Sequence, residues 1–139
     1  MKIATTRFGE IEVAEDRFIT FPLGIPGFDE QRHFVLLEHK DNISWLQAVD
    51  EPDLAFIVME PFQLFPDYAF KVSDDMEKLL FVDDPRHLLV LAIIAVSESG
   101  ATVNLRAPLL VNTSRMLGAQ ILSDDESLSF RTPFPKAAR

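Results

Sequence analysis

The stretch Thr102-Val103-Asn104-Leu105-Arg106-Ala107-Pro108-Leu109-Leu110-Val111-Asn112 decides the fold. β-Branched and apolar residues stand on both sides of Pro108, which a central strand would not accept, so the stretch predicts a strand, a bend and a second strand. Asn104 and Asn112 frame it, and an asparagine in a β pattern needs a backbone hydrogen bond or a strand end. We expect Asn112 to cap a strand and four side chains to be core: Val103, Leu105, Leu109 and Val111.

The segment just before this stretch supplies its central neighbour. Residues 88–96 form a continuous apolar run, which predicts a strand covered on both faces at the centre of the core. Residues 97–100 then turn the chain. After Asn112, the pattern predicts a helical turn, a late strand and an edge strand, at residues 113–115, 118–122 and 128–131 respectively.

Short β-prone segments also recur through the first sixty residues. The alternation around residues 3–13 predicts an N-terminal hairpin. Strands at intervals of about ten residues, separated by proline and aspartate, are typical of an all-β barrel or sandwich. Four further strands are expected, at residues 18–21, 34–37, 45–49 and 54–59.

One short helix interrupts this β pattern, beginning at Asp74 and ending at about residue 81. Asp74 is predicted to cap it together with Glu77, while three apolar side chains share one face: Met76, Leu79 and Leu80. We therefore predict an all-β fold for residues 1–139: a single antiparallel domain, barrel-like or a closed sandwich, with a mobile tail from about residue 133.

Two loops stand out. Gly24-Ile25-Pro26-Gly27-Phe28 predicts a tight turn that anchors Phe28 in the core, with a binding loop as the alternative. Phe62-Gln63-Leu64-Phe65-Pro66-Asp67-Tyr68 predicts a loop packed on itself. Its tyrosine suits a hydrogen bond at the edge of the core, which we prefer, or an anchor in an interface.

Composition and charge limit the classes of function. The chain has 139 residues, no cysteine and a formal charge of -9, so disulfides and thiolate metal sites are excluded and direct binding to nucleic acid is disfavoured. Residues 41–84 hold 11 acidic side chains against Lys71 and Lys78. This segment predicts a solvated acidic face or a surface for a basic partner. No apolar run is long enough for a membrane-spanning helix, and no signal peptide is recognised, which favours a cytoplasmic protein.

The sequence offers no catalytic or metal-binding motif. His33, His39 and His87 lack the spacing that places two imidazoles on one helix face, and no nucleophile elbow or phosphate loop occurs. Adjacent aspartates such as Asp74 and Asp75 are expected to be solvated turn residues. We predict no cofactor, no metal and no catalysis, although an enzyme assembled from distant residues stays open.

Several separated motifs, in this order and spacing, resemble the flagellar assembly factor FliW family over nearly the whole chain. They are Phe8-Gly9 with Ile11, Phe21 with Gly24-Ile25-Pro26-Gly27-Phe28, Phe34-Val35-Leu36-Leu37, Leu46-Gln47, Pro61-Phe62 with Phe65-Pro66-Asp67-Tyr68, Thr102-Val103-Asn104-Leu105 with Ala107-Pro108, Asn112, and Gln120-Ile121-Leu122.

The resemblance implies a small all-β protein without catalysis that binds two partners in turn. One partner would be flagellin and the other the RNA-binding translational regulator CsrA. Once flagellin is secreted, the freed factor would bind CsrA and relieve its repression of flagellin mRNA. When flagellin accumulates, it would occupy the factor again, and repression would return.

Exposed polar positions near the acidic segment are the candidate contacts for these partners. Acidic side chains would steer a basic partner, and Tyr68 would supply a buried anchor. The full candidate set is Glu60, Pro66, Asp67, Tyr68, Asp74, Asp75, Asn104 and Arg106. The alternative is a small enzyme or a ligand-binding β-barrel, with a pocket near Asp67, Tyr68 and Asn104.

Overall fold

The computed structural model describes residues 1–135, and β-strands dominate it. The strands are β1 (Lys2–Thr5), β2 (Gly9–Glu12), β3 (Ile19–Thr20), β4 (His33–Lys40), β5 (Ile43–Ala48), β6 (Ala55–Met59), β7 (Leu88–Ser97), β8 (Gly100–Val103), β9 (Leu109–Asn112), β10 (Leu117–Gln120) and β11 (Thr132–Pro133). The helix found in residues 1–135 is α1 (Asp74–Leu79), beside three 3₁₀ turns, at Glu15–Arg17, Pro61–Gln63 and Pro85–His87. The predicted all-β class with one short helix is confirmed.

The strands close into a ring of hydrogen bonds that is not a regular barrel. β1 and β2 form the predicted N-terminal hairpin, and the other nine strands form one sheet in the order β11-β8-β7-β6-β5-β4-β3-β10-β9. An additional pairing between β7 and β9 joins the sheet to itself. Every pairing is antiparallel except the one between β10 and β3, where Leu117 lies parallel to Thr20. The barrel-like prediction is thus confirmed, with this one parallel contact added.

The bend at Pro108 is a bulge along one edge of β7. Val103 pairs with Ile94, and Leu109 pairs with Leu91. The chain therefore advances six residues, from 103 to 109, while β7 advances only three. The surplus residues loop out, and Asn104 closes the loop because its Oδ1 accepts a hydrogen bond of 3.0 Å from the amide of Ala107. The predicted strand, bend and strand are confirmed, and so is the burial of all four predicted core residues: Val103, Leu105, Leu109 and Val111.

The interior of the ring holds the main hydrophobic cluster. Phe21 and Phe34 are fully buried and meet edge to face with ring centroids 5.3 Å apart, in contact with Leu46, Val58 and Leu109. On β7 the prediction of cover on both faces is wrong beyond Ile94. Val96 is 68% exposed because the pairing of β6 with β7 ends at Ile94. β7 is nevertheless the strand that pairs with β6, β8 and β9.

Helix α1 has the predicted position but a different cap. The side chain of Ser73, whose backbone is extended, accepts a hydrogen bond of 3.1 Å from the amide of Met76. Asp74 is the first residue of the helix. Its carboxylate interacts favourably with the positive end of the helix dipole, but its side chain does not cap the helix. The predicted cap of Asp74 with Glu77 is therefore wrong.

The C-terminal region departs further from the sequence prediction. Residues 113–116 are a hairpin turn between β9 and β10, rather than a helical turn. The edge strand is β11, not residues 128–131, because the carbonyl of Ser129 accepts hydrogen bonds from two amides of the bulge, those of Leu105 and Arg106. Pro133 pairs with Thr102. The rest of the predicted tail, residues 136–139, lies outside the described residues.

The loop at residues 24–28 is the predicted tight turn, but it anchors a different side chain. Ile25 is 1% exposed, whereas Phe28 is 42% exposed and rests against Phe56. Gly24 has φ of +69°, and a Cβ there would lie 2.9 Å from the backbone of Asp29. Glycine is required at this position, so the motif serves the fold.

Candidate partner-binding surface

Tyr68 belongs to the edge of the core. It is 8% exposed, and its hydroxyl donates a hydrogen bond of 2.6 Å to the carbonyl of Leu105 in the bulge. Its ring lies between those of Phe62 and Phe70, at centroid distances of 5.6 and 5.3 Å. Burial raises the pKa of Tyr68 to about 12, so the hydroxyl remains a donor at neutral pH. The preferred interpretation of Tyr68 is confirmed, while Pro66 and Asp67 just before it are exposed.

The bulge brings Asn104 and Arg106 to either side of the carbonyl that Tyr68 binds. Asn104 closes the bulge, as described above. The Nε of Arg106 donates to the carbonyl of Ser123 at 3.1 Å, and its guanidinium lies 5.5 Å from the ring centre of Phe130. Both side chains are half-buried. Their polar groups therefore support the surface from within the protein.

Glu60 belongs to a different part of the surface. Its amide and carbonyl bond to the side chain of Asn42, at 3.3 and 2.7 Å, which fixes the start of the 3₁₀ turn against the β4–β5 hairpin. The carboxylate is left free to face solvent, since Glu60 is exposed. Glu60 thus presents an acidic group beside the β4–β5 hairpin.

Asp74 and Asp75 are exposed in the first turn of α1, and Asp74 borders two grooves. The smaller groove measures about 570 Å³ and is lined by Asp74, Glu77, Lys78, Phe81, Val82, Asp83 and Arg115. The larger measures about 1000 Å³ and lies between residues 69–76 and 120–125. Asp67, Tyr68 and Asn104 line neither groove, so neither offers the pocket that the enzyme or ligand-barrel alternative predicts.

The larger groove is bordered by backbone that the sheet leaves unpaired. The amides of Ile121 and Ser123 donate to the carbonyls of Pro108 and Arg106, at 3.0 and 2.8 Å. In an antiparallel pair the intervening residue, Leu122, presents its amide and carbonyl to the opposite side. Leu122 is also 65% exposed. Within residues 1–135 these two groups of Leu122 make no backbone hydrogen bond, so an extended segment of a partner can use them.

The region from α1 to the following turn is strongly acidic. Residues 74–84 hold five acidic side chains and a single basic one, Lys78. Asp84 accepts hydrogen bonds from the side chain and backbone of Arg86, which lower the pKa of that carboxyl below its usual value. Such a surface attracts a basic partner and repels nucleic acid.

Phe81 is the surface residue that the sequence analysis missed. α1 ends at Leu79, Leu80 is its C-cap, and Phe81 follows with φ of +54°. The amide of Phe81 donates to the carbonyl of Lys78 and that of Val82 to Glu77, which is the pair of bonds of a Schellman motif. The ring is 58% exposed. The signal in the sequence is a phenylalanine at the position where a helix commonly ends with glycine.

A family model described as FliW protein matches residues 2–134. The chain belongs to the FliW family. It is 40% identical to a flagellar assembly factor FliW of Geobacter sulfurreducens, over 100% of this chain and 90% of the relative. The homologue of Alkaliphilus metalliredigens, also named flagellar assembly factor FliW, is 40% identical over 91% of this chain and 81% of its own length.

A solved structure of a FliW protein has the same fold as this chain. It is described as the crystal structure of the flagellar assembly factor FliW, and it superposes with a TM-score of 0.92 at 33% identity, covering 99% of this chain and 100% of the other. The names of these relatives describe assembly factors. In residues 1–135 of this FliW-family chain, no three histidine, aspartate or glutamate side chains cluster as metal ligands, and no helix has the length and apolar character to cross a membrane.

Proposed function

We propose that this protein is a cytoplasmic flagellar assembly factor that works by binding, without catalysis, and that flagellin and CsrA occupy it in turn. Free of flagellin, it binds CsrA and releases flagellin mRNA from repression. Bound by accumulated flagellin, it leaves CsrA free to repress again. Membership of the FliW family supports the assembly role, and the acidic surface supports the choice of a basic, RNA-binding partner.

The observation that carries the proposal is the charge of that surface. CsrA binds RNA phosphates, which requires Lys and Arg side chains at its binding site. A protein of net charge -9 docked beside that site adds repulsion between the complex and RNA. This effect acts within about 10 Å at moderate ionic strength, so it requires the acidic side chains to lie close to the RNA site.

The exposed members of the candidate set are the proposed contacts. Asp74 and Asp75 lie on α1, Pro66 and Asp67 on the neighbouring loop, and Glu60 at the 3₁₀ turn. Tyr68, Asn104 and Arg106 hold the bulge and the loop in place through the internal hydrogen bonds described above. We propose that these three act by positioning the contact surface.

The test is the salt dependence of RNA release. CsrA bound to a labelled flagellin-leader RNA is mixed with a saturating amount of this protein, and RNA affinity is measured between 50 and 300 mM salt at constant complex occupancy. We expect RNA affinity to fall in the complex, and to fall less as salt is raised, because salt screens the repulsion.

Variants that neutralise two acidic side chains separate the effect of this surface on RNA release from the effect of the protein's net charge. Asp74→Asn with Asp75→Asn should release less RNA than wild type. Glu15→Gln with Asp16→Asn is the matched control, because it removes the same charge from two exposed residues of another element, the 3₁₀ turn at Glu15–Arg17. Inhibition that is insensitive to salt, or equal in both double variants, would show that charge on this surface is not the cause.

A further inference from the structure

Phe81 occupies a backbone conformation that favours glycine. Its φ of +54° lies in the left-handed region, which strains a residue with a large side chain. Glycine and asparagine enter this region readily, and helices commonly end with one of them at this position. A bulky residue kept there, at a cost to the fold, is a reason to look for a function of its side chain.

The fold itself makes little use of the Phe81 side chain. The ring is 58% exposed, whereas the preceding Leu80 is fully buried and supplies the apolar contact of the helix end. What the fold uses is the Phe81 backbone: its carbonyl accepts a hydrogen bond of 3.1 Å from Nδ2 of Asn112. Any residue, including glycine, provides that carbonyl. The aromatic ring is therefore dispensable for the helix end.

The ring is nevertheless held in a defined place. The guanidinium of Arg115 lies 5.4 Å from its centre, on the turn between β9 and β10. The ring also borders the smaller groove, together with Glu77, Asp83 and Lys78. An exposed aromatic ring in contact with an arginine and bordered by charged groups has the form of an interface hot spot with a polar rim.

We propose that Phe81 is the aromatic anchor of this protein's contact with a basic partner, inserted into an apolar pocket on that partner while the surrounding acids pair with its Lys and Arg side chains. This proposal rests on the function proposed above and assigns the surface to the RNA-binding regulator CsrA. The groove beside Phe81 has three acidic side chains against Lys78 and Arg115, and residues 74–84 hold five acids against Lys78 alone. This acidic excess favours the basic partner of the two.

Two substitutions test the anchor without threatening the fold. Phe81→Gly and Phe81→Asn both place a residue that tolerates positive φ at this site. Thermal unfolding should give a Tm no lower than that of wild type. In isothermal titration calorimetry with CsrA, each variant should bind about thirtyfold more weakly, the loss expected of one hot-spot aromatic.

Phe130→Ala is the matched control. Phe130 is also an exposed phenylalanine, at 50%, and it also lies under an arginine, Arg106, at 5.5 Å. Arg106 precedes β9 and Arg115 follows it, so the two rings lie at opposite ends of that strand. Phe130→Ala should change the affinity for CsrA by less than threefold. The two Phe81 variants should change the affinity for flagellin by less than threefold.

The outcomes separate this inference from the proposed function. Wild-type protein that binds no CsrA would overturn the function itself. Wild-type binding with an unchanged affinity in Phe81→Gly and Phe81→Asn would overturn only the anchor. A lowered Tm would mean that Phe81 serves the fold. Equal losses in the Phe130 control, or a loss for flagellin as large as that for CsrA, would overturn the assignment of this surface to the basic partner.

Discussion

Replacement of Asn112 by alanine is expected to lower the free energy of unfolding by about 3 kcal/mol, because it removes three hydrogen bonds of a buried side chain at once. Asn112 is 1% exposed. Its Nδ2 donates to the carbonyls of Leu80 and Phe81, at 2.8 and 3.1 Å, and its Oδ1 accepts from the amide of Ser114 at 3.0 Å. Alanine can make none of these bonds, and water has little access to the carbonyl of Leu80, whose hydrogen bond is the buried one.

Urea unfolding followed by circular dichroism measures this loss. Asn104→Ala is the natural comparison, since Asn104 frames the same stretch but is only half-buried and makes one hydrogen bond, to the amide of Ala107. That variant should lose about 1 kcal/mol. Equal losses in the two variants would contradict the assignment of Asn112 as the buried link between β9 and the end of α1.

Phe21→Ala should lower the free energy of unfolding by about 4 kcal/mol, in the range of large-to-small changes in a closed core. Phe21 is fully buried, packs on Phe34 and lies directly against Gly118 of β10. A Cβ at Gly118 would come within 2.7 Å of Cζ of Phe21. Gly118→Ala alone should therefore cost about 1–3 kcal/mol through overpacking.

The two changes should not be additive. When the Phe21 ring is absent, the added methyl group of Gly118→Ala enters the vacated space, so the double variant should be more stable than the sum of the single losses predicts. A double-mutant cycle from urea unfolding measures this coupling, which we expect to exceed about 1 kcal/mol. Additivity within about 0.5 kcal/mol would show that the ring does not press on Gly118.

Local patterns predicted most of the strands, because each has its own apolar alternation and its own turn residues. Pro108 correctly predicts the bend, since a proline has no backbone N–H and cannot donate a hydrogen bond to a neighbouring strand. The closure of the ring was not predictable in detail, because it depends on which strand edges meet. The pairing of β7 with both β8 and β9 is such a case. The edge strand at Thr132–Pro133 also depends on a distant partner, β8.

The candidate surface was predicted less well than the fold. Charge is visible in the sequence, which correctly predicts that Asp74 and Asp75 are exposed. Burial is not visible for a polar side chain, and the internal roles of Tyr68 and Arg106 follow from partners 37 and 17 residues away. The sequence does not single out Phe81, because the run Leu79-Leu80-Phe81-Val82 is uniformly apolar. The exposure of the Phe81 side chain is visible only in the structure.

The hydrogen bonds of Asn112 connect the sheet to the proposed contact surface. Asn112 holds the carbonyls of both Leu80 and Phe81, so it fixes the end of α1 against β9. The ring of Phe81 and the acids of α1 thus stand on a rigid support. A binding surface held in this way loses little conformational entropy when a partner docks.

Size-exclusion chromatography of the purified proteins tests whether flagellin and CsrA exchange on this protein. This protein should co-elute with CsrA and, in a separate run, with flagellin. Addition of excess flagellin to the complex with CsrA should release free CsrA. Failure to co-elute with either partner, or elution of all three proteins as one stable complex, would contradict the claim.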